Sequence, residues 1–144
     1  MSKIPALVAL AFALVSCKKE DTAPPQRSYD GKWFCTQTIN KEYTLENGDT
    51  LFTRNDTLRH SVGMDYFDFR IDRSGVGTVL KYMNKELDSM AYEAITPKYF
   101  HLDTLLCEVN SLSDSAFAFN TLLYRYNVVP GRVQVTQVFF SLTK

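Results

Sequence analysis

The chain has 144 residues, of which 45% are hydrophobic, and its 16 basic side chains balance 16 acidic ones. This length suits one domain with a substantial core. Zero net charge argues against a nucleic-acid partner, because nucleic-acid binding needs a strongly basic surface. The 8 Tyr and 10 Phe favour β-strands, and Gly and Pro lie mainly between apolar runs, where turns are expected.

The first predicted element is a secretory signal. Lys3 precedes an apolar run that starts at Ile4 and ends in Leu14-Val15-Ser16-Cys17. The run has about 13 residues, which is too short to cross a bilayer core that needs about 20. Its last four residues resemble a bacterial lipobox, in which the Cys is lipidated and becomes the mature N-terminus. We therefore predict a cleaved signal peptide over residues 1–16 and a palmitate-type lipid on Cys17; the alternative is an ordinary signal with a chance Cys.

Residues 17–30 are polar and contain Pro24-Pro25, so they cannot bury enough apolar surface to order themselves. We predict that they form a flexible tether between the lipid and a domain over residues 31–144. No later segment is apolar for about 20 residues, so the predicted membrane contact is the lipid anchor alone. Lys18 follows Cys17, whereas inner-membrane retention is usually associated with Asp there, so we predict the outer membrane; its periplasmic and cell-surface faces both remain open.

The domain begins with an alternating strand from Gly31 to about Ile39, and we expect Trp33, Cys35, Gln37 and Ile39 to share one face. Asn47-Gly48 lies between two short alternating runs, which is a strong hairpin signal because both positions tolerate positive φ. Residues 54–63 are polar and predict a turn or a short irregular strand.

The clearest strand signal is Met64 to Asp72, in which Phe67, Phe69 and Ile71 alternate with polar residues. Further strands are predicted over residues 76–83, 89–95, 99–103, 105–109, 117–126 and 133–142. About eight to ten strands with short connections, and no helix after the signal, predict an all-β antiparallel up-and-down meander. Closing the meander into a barrel of about eight strands removes its exposed edges.

Several segments carry a resemblance to a known family. Gly31-Lys32-Trp33 resembles the lipocalin Gly-x-Trp signature, whose indole plugs the closed end of the barrel. The segments over residues 68–75, 90–95 and 109–115 are similar to the small lipocalin-like lipoproteins of Gram-negative bacteria. The resemblance implies a lipocalin-like barrel. Lipocalins stack a late Arg on the Trp, and Arg125, Arg132 and Lys144 are the alternatives for that position.

Two cysteines remain when Cys17 carries a lipid. Cys35 and Cys107 each lie among alternating apolar residues of a predicted strand. An even number of cysteines in an exported protein makes a disulfide between them one prediction. Two separate buried thiols, which behave as small hydrophobes, are the alternative.

The sequence predicts no catalytic site, no metal site and no cofactor. His60 and His101 are the only histidines, and neither has a Cys or carboxylate at zinc-ligand spacing. Asp68 and Asp72 share a strand face but would lie about 13 Å apart, which is too far for a carboxylate dyad. Nucleophile-elbow, phosphate-loop and dinucleotide motifs are absent from the sequence, so we expect a protein that is not an enzyme.

The remaining signal is aromatic. Tyr43, Phe52, Tyr82 and Tyr92 are the candidate pocket or lid residues, with the hairpin over residues 42–54 as a mobile lid; plain packing is the alternative. If the barrel is hollow, we expect an envelope lipoprotein that binds a small apolar or aromatic ligand. If it is filled, we expect a structural or accessory interaction subunit of an outer-membrane assembly, with an envelope protein as its partner.

Overall fold

The computed structural model describes residues 29–126 and 130–144. Its nine strands are β1 Gly31–Glu46, β2 Asp49–Arg59, β3 Tyr66–Ile71, β4 Val76–Met83, β5 Glu86–Ala94, β6 Tyr99–Leu102, β7 Leu105–Leu112, β8 Ala116–Tyr126 and β9 Arg132–Thr143. The all-β prediction is confirmed. Within these ranges there is no helix, and hence none that is long and apolar enough to cross a membrane. The predicted signal peptide, Cys17 and most of the predicted tether lie outside the described residues.

Eight of the strands close into a barrel. From β3 to β9 each strand pairs antiparallel with the next, and β1 pairs with both β3 and β9. The predicted eight-strand meander is therefore confirmed. The ninth strand, β2, pairs with β1 alone and stands outside the closed ring.

The long strand β1 lies partly in the barrel and partly in a continuation of the same sheet beyond it. Its residues 31–34 pair with β3, whereas residues 37–46 pair with β2 on the same side of the strand. Leu122 of β8 pairs with Leu106 of β7, and the residues of β8 that follow Leu122 pair with β9 alone. Residues 42–46, 49–54, 123–126 and 132–136 therefore continue past the barrel as a four-stranded sheet, in the order β2-β1-β9-β8, which we call the sheet extension.

A β-bulge in β1 corrects one predicted face. In the β1–β9 ladder Cys35 pairs with Leu142 and Gln37 with Ser141, so Thr36 is an extra residue. Trp33, Cys35 and Thr38 are buried toward the barrel interior, while Ile39 is half-buried on the opposite face. The prediction that Gln37 and Ile39 share a face with Trp33 is wrong, because one inserted residue exchanges the two faces of everything that follows.

The hairpin prediction at Asn47-Gly48 is confirmed, with φ of 51° and 88° at the two turn residues. The prediction of a turn or short irregular strand over residues 54–63 holds only beyond Arg59, since β2 continues as a regular strand up to that residue. The polar composition of β2 hid this strand, because all of its residues are exposed and it pairs on one edge only.

Candidate functional site

The barrel interior is filled by aromatic side chains. Phe69 lies at its centre, and the centroid of its ring is 5.7 to 6.3 Å from six other rings. Those six rings belong to Tyr29, Phe67, Tyr92, Phe100, Phe117 and Phe119. Each of the seven residues is at most 6% exposed. Aromatic rings at these separations make direct edge and face contacts, so they occupy the volume that a ligand would need.

Tyr29 corrects the predicted boundary between tether and domain. It is 6% exposed, and its ring stacks on Phe117 with a centroid distance of 5.1 Å. Its carbonyl accepts a 2.8 Å hydrogen bond from Trp33 Nε1, and its hydroxyl accepts a 2.5 Å bond from Tyr92. Burial raises the pKa of Tyr29 above its ordinary value. The folded domain therefore already includes Tyr29, which the sequence marked only as a lone aromatic residue just before Gly31.

The basic residue that lies over the tryptophan ring is Lys144. Its Nζ is 4.5 Å from the centroid of the Trp33 ring, within cation–π range. Arg132 pairs instead with Glu46 in the sheet extension at 2.7 Å, and Arg125 is exposed near the end of β8. Of the three alternatives left open by the sequence, the structure therefore places the last residue of the chain at the stacking position.

The four candidate pocket or lid residues do not come together. Tyr92 is buried in the interior, whereas Tyr82 stacks on Tyr66 on the outer wall with a centroid distance of 5.5 Å. Tyr82 also lines an open surface cleft of about 260 Å³ beside His60. Tyr43 and Phe52 contact each other with ring centroids 5.5 Å apart, away from the interior. The structure therefore does not bring these four residues into one pocket, because they lie on different faces of the sheet.

Tyr43 and Phe52 belong to an apolar surface of the sheet extension. Residues paired across antiparallel strands share a face. The registers join Phe52, Tyr43, Val135 and Tyr124 in one row, and Thr50, Leu45, Val133 and Tyr126 in the next. We call these eight residues the aromatic face. The Thr38 side chain lies in the barrel interior. Tyr43 is five residues further along β1, and the β1–β9 ladder has no bulge between them, so Tyr43 lies on the opposite face. The aromatic face therefore continues the outer wall of the barrel.

The aromatic face is open to solvent. Exposed fractions are 64% for Phe52, 44% for Tyr124 and 81% for Tyr126. Val135 is completely buried between its row neighbours Tyr43 and Tyr124. The pKa of Tyr43 is raised, mainly by its partial burial and secondarily by the nearby Tyr124. A contiguous exposed aromatic surface of this kind typically marks an interaction site.

The opposite face of the sheet extension is mostly polar, apart from the exposed Leu51 and Leu123. Arg54 pairs with Glu42 at 3.6 Å and with Asp56 on its own strand. Arg132 and Glu46 form a second cross-strand ion pair. The two faces of this sheet thus differ in chemistry, and every residue of its edge strand β2 is exposed.

Cys35 and Cys107 are free, so the prediction of a disulfide between them is wrong. The alternative, two separate buried thiols, is confirmed. Strand β7, which carries Cys107, is separated from β1, which carries Cys35, by β8 and β9. Both residues are completely buried. Burial raises the pKa of Cys35 and raises that of Cys107 to about 12, which keeps both thiols protonated.

A buried polar chain links β1 to the loop before β3. His60 Nδ1 lies 2.6 Å from an Asp65 carboxylate oxygen, and His60 Nε2 lies 2.7 Å from Thr38 Oγ1. The order carboxylate, imidazole, hydroxyl resembles a nucleophilic triad, which the sequence did not reveal because the three residues are spread over two elements. Thr38 is only 6% exposed, so its hydroxyl is largely shielded from solvent. The three side chains connect the loop before β3 to β1 through hydrogen bonds.

Comparison with known proteins adds no relative. No family model matches the chain, and no curated protein or solved structure matches it significantly. Over residues 29–126 and 130–144, no group of three or more His, Cys, Asp or Glu side chains could hold a metal ion. The candidate functional site is therefore the aromatic face, on the basis of its exposure and composition.

Proposed function

We propose that the protein is a non-enzymatic interaction subunit of the bacterial outer membrane, anchored through a lipid on Cys17 and related to the small lipocalin-like lipoproteins. The lipobox pattern at Leu14-Val15-Ser16-Cys17 supports the anchor. The closed eight-strand barrel and the contact between Lys144 and Trp33 are compatible with a lipocalin-like domain.

One observation favours an interaction role over ligand binding. The aromatic residues that could line a ligand cavity fill the barrel interior, whereas the aromatic residues of the sheet extension are left exposed. A ligand-binding barrel needs a cavity of several hundred Å³, and a filled core offers a protein surface instead. The buried hydroxyl of Thr38 supports a role without nucleophilic catalysis.

The anchor is tested by metabolic labelling with a fatty-acid analogue in a Gram-negative host. We expect the label on the full-length protein and its loss in Cys17→Ala. Cys107→Ala is the matched control, because this thiol is completely buried and should leave labelling unchanged. Label that persists in Cys17→Ala would refute the lipobox.

The choice between interaction and ligand binding is tested by native mass spectrometry of the protein extracted from membranes. We expect the mass of the lipidated chain without a further small molecule. A stoichiometric apolar adduct would instead favour the hollow barrel, and the filled interior would have to open to accommodate it.

A further inference from the structure

We propose that the partner of the aromatic face is the aromatic face of a second copy of this chain, in a two-fold symmetric pair on the membrane. This inference rests on the proposed anchored interaction role and names its partner. Its first support is chemical, because none of the eight residues of the aromatic face carries a charge. Two copies can therefore meet without like-charge repulsion, and the whole chain also has zero net charge.

The row order makes the aromatic face complementary to itself. Phe52 lies at the β2 end of its row and Tyr124 at the β8 end, with Tyr43 and Val135 between them. We place the two-fold axis of the pair along the strands, because such an axis keeps the predicted anchors of both chains on the same side. Such an axis places Phe52 of each copy opposite Tyr124 of the other, whereas Val135 is completely buried within its own copy and takes no part in the contact. Each contact then occurs twice, as an isologous interface requires.

The other surfaces of the sheet extension are less suited to self-association. The outer edge of β2 carries Arg54 and Asp56, and its ladder with β1 has a bulge at Thr53. Charged residues and bulges on an edge strand oppose edge-to-edge pairing. The opposite face is occupied by the ion pairs of Glu42 and Glu46. The pair of copies is therefore expected to pack sheet face on sheet face, about 10 Å apart.

The available area indicates a weak pair that depends on the membrane. With about 200 Å² for a whole aromatic side chain, the exposed fractions of Phe52, Tyr124 and Tyr126 leave roughly 400 Å² on one copy. Two copies with their rims would bury about 1,000 Å², at the lower limit for a specific interface. A shared membrane raises the effective concentration of such partners, so a contact too weak in dilute solution becomes populated.

The aromatic face also lies away from the predicted anchor. The tether joins the domain at Tyr29, next to the first residue of β1, whereas Tyr43 and Leu45 are near the other end of this 16-residue strand. Insertion of the aromatic face into the anchoring membrane is therefore disfavoured relative to contact with a neighbour that stands at the same height.

The test is cross-linking of the full chain in native membranes with a short bismaleimide of roughly 8 Å span, which suits the spacing of packed sheets. The variant is Phe52→Cys with Tyr124→Cys. Within one copy these positions are separated by two strands, about 14 Å, so the reagent joins them only between copies. Native Cys35 and Cys107 are buried, and the Cys17 thiol is blocked by the lipid in the proposed anchored form, so none of the three gives background.

Two matched controls define the expected result. Leu51→Cys with Leu123→Cys places two exposed thiols on the opposite face, and Phe52→Cys alone places its thiol far from its own symmetry mate. We expect a band of twice the chain mass that is several-fold stronger for the aromatic-face pair than for either control. Folding of each variant is checked by the fluorescence of Trp33, which is fully buried in the barrel.

Other outcomes overturn the proposal. Equal bands for the three variants would mean random collision, and a cross-link to a heavier protein would identify a different partner. A further variant, Tyr126→Cys, tests contact with lipid. If no cross-link forms and the Tyr126→Cys thiol reacts with a water-soluble maleimide only after detergent extraction, the aromatic face lies in the membrane. Fatty-acid labelling of the same samples separates the two proposals: a labelled chain without a cross-link refutes the pair alone, and an unlabelled chain refutes the anchor alone.

Discussion

Removal of the Tyr29 ring should greatly lower the free energy of unfolding of the barrel. Tyr29 is 6% exposed, stacks on Phe117 and contacts Phe69, Tyr92 and Phe100. Truncation of a buried aromatic residue to alanine typically costs about 3–5 kcal/mol. Since small domains have about 5–15 kcal/mol of stability in total, Tyr29→Ala should lose a large part of it. If Tyr29 instead belonged to the tether, the same change would cost nothing.

The hydroxyl pair gives a sharper version of this prediction. Tyr92 donates to the hydroxyl oxygen of Tyr29 at 2.5 Å, and Tyr92 is 2% exposed. Tyr29→Phe should cost about 1–3 kcal/mol, because it leaves a buried hydroxyl on Tyr92 without this partner. Tyr92→Phe should cost a similar amount for the same reason. The double variant removes both polar groups, so it should cost clearly less than the sum of the two single changes.

The assay is equilibrium unfolding in urea, followed by the fluorescence of Trp33, the single tryptophan of the chain. Tyr126→Phe is the control, since Tyr126 is 81% exposed and its substitution should leave the unfolding midpoint unchanged. An unchanged midpoint in Tyr29→Ala would refute the placement of this ring in the core. Strictly additive costs of the two Tyr→Phe changes would refute the hydrogen bond between them.

Three further predictions concern other features of the fold. Burial raises the pKa of both hydroxyl-paired tyrosines above 10.0, so the unfolded chain releases these protons first as the pH rises. The stability that these two neutral hydroxyls contribute is therefore complete below about pH 10 and is lost progressively above it. Between about pH 9 and pH 11, the double Phe variant should lose less stability than the native chain. An equal loss in the two proteins would contradict this. Cys35 and Cys107 should react with a thiol reagent only after unfolding, and fast reaction of the native protein would contradict their burial. Gly77→Ala should lower the unfolding midpoint by the equivalent of roughly 3 kcal/mol, because a Cβ there would lie 2.1 Å from the carbonyl oxygen of Arg70; a native-like midpoint would show that the two strands can separate freely.

Much of the local structure followed from sequence patterns with local causes. The alternation of Phe67, Phe69 and Ile71 predicted β3, and the Asn47-Gly48 pair predicted the first hairpin turn. Both signals depend on the chain near the residue itself, through side-chain alternation and through permitted φ values. The approximate number of strands followed from the same short-range signals, whereas their closure into a barrel was predicted from the need to remove exposed sheet edges.

The errors arose where a distant strand decided the outcome. The bulge at Thr36 is a property of the ladder with β9, more than 100 residues away in sequence, and it exchanged the faces of Gln37 and Ile39. β2 is exposed along its whole length, so its polar sequence carried no burial pattern to reveal a regular strand up to Arg59.

The sequence by itself determined that this chain forms antiparallel strands and where most of them turn, because alternation and turn chemistry act over a few residues. Only the tertiary structure decided what the aromatic residues do. It placed Tyr29 and Tyr92 together in a filled interior and left Phe52 and Tyr126 on the exposed aromatic face. The physical reason is that burial depends on which strands become neighbours, and β1, β8 and β9 each continue from the barrel into the sheet extension.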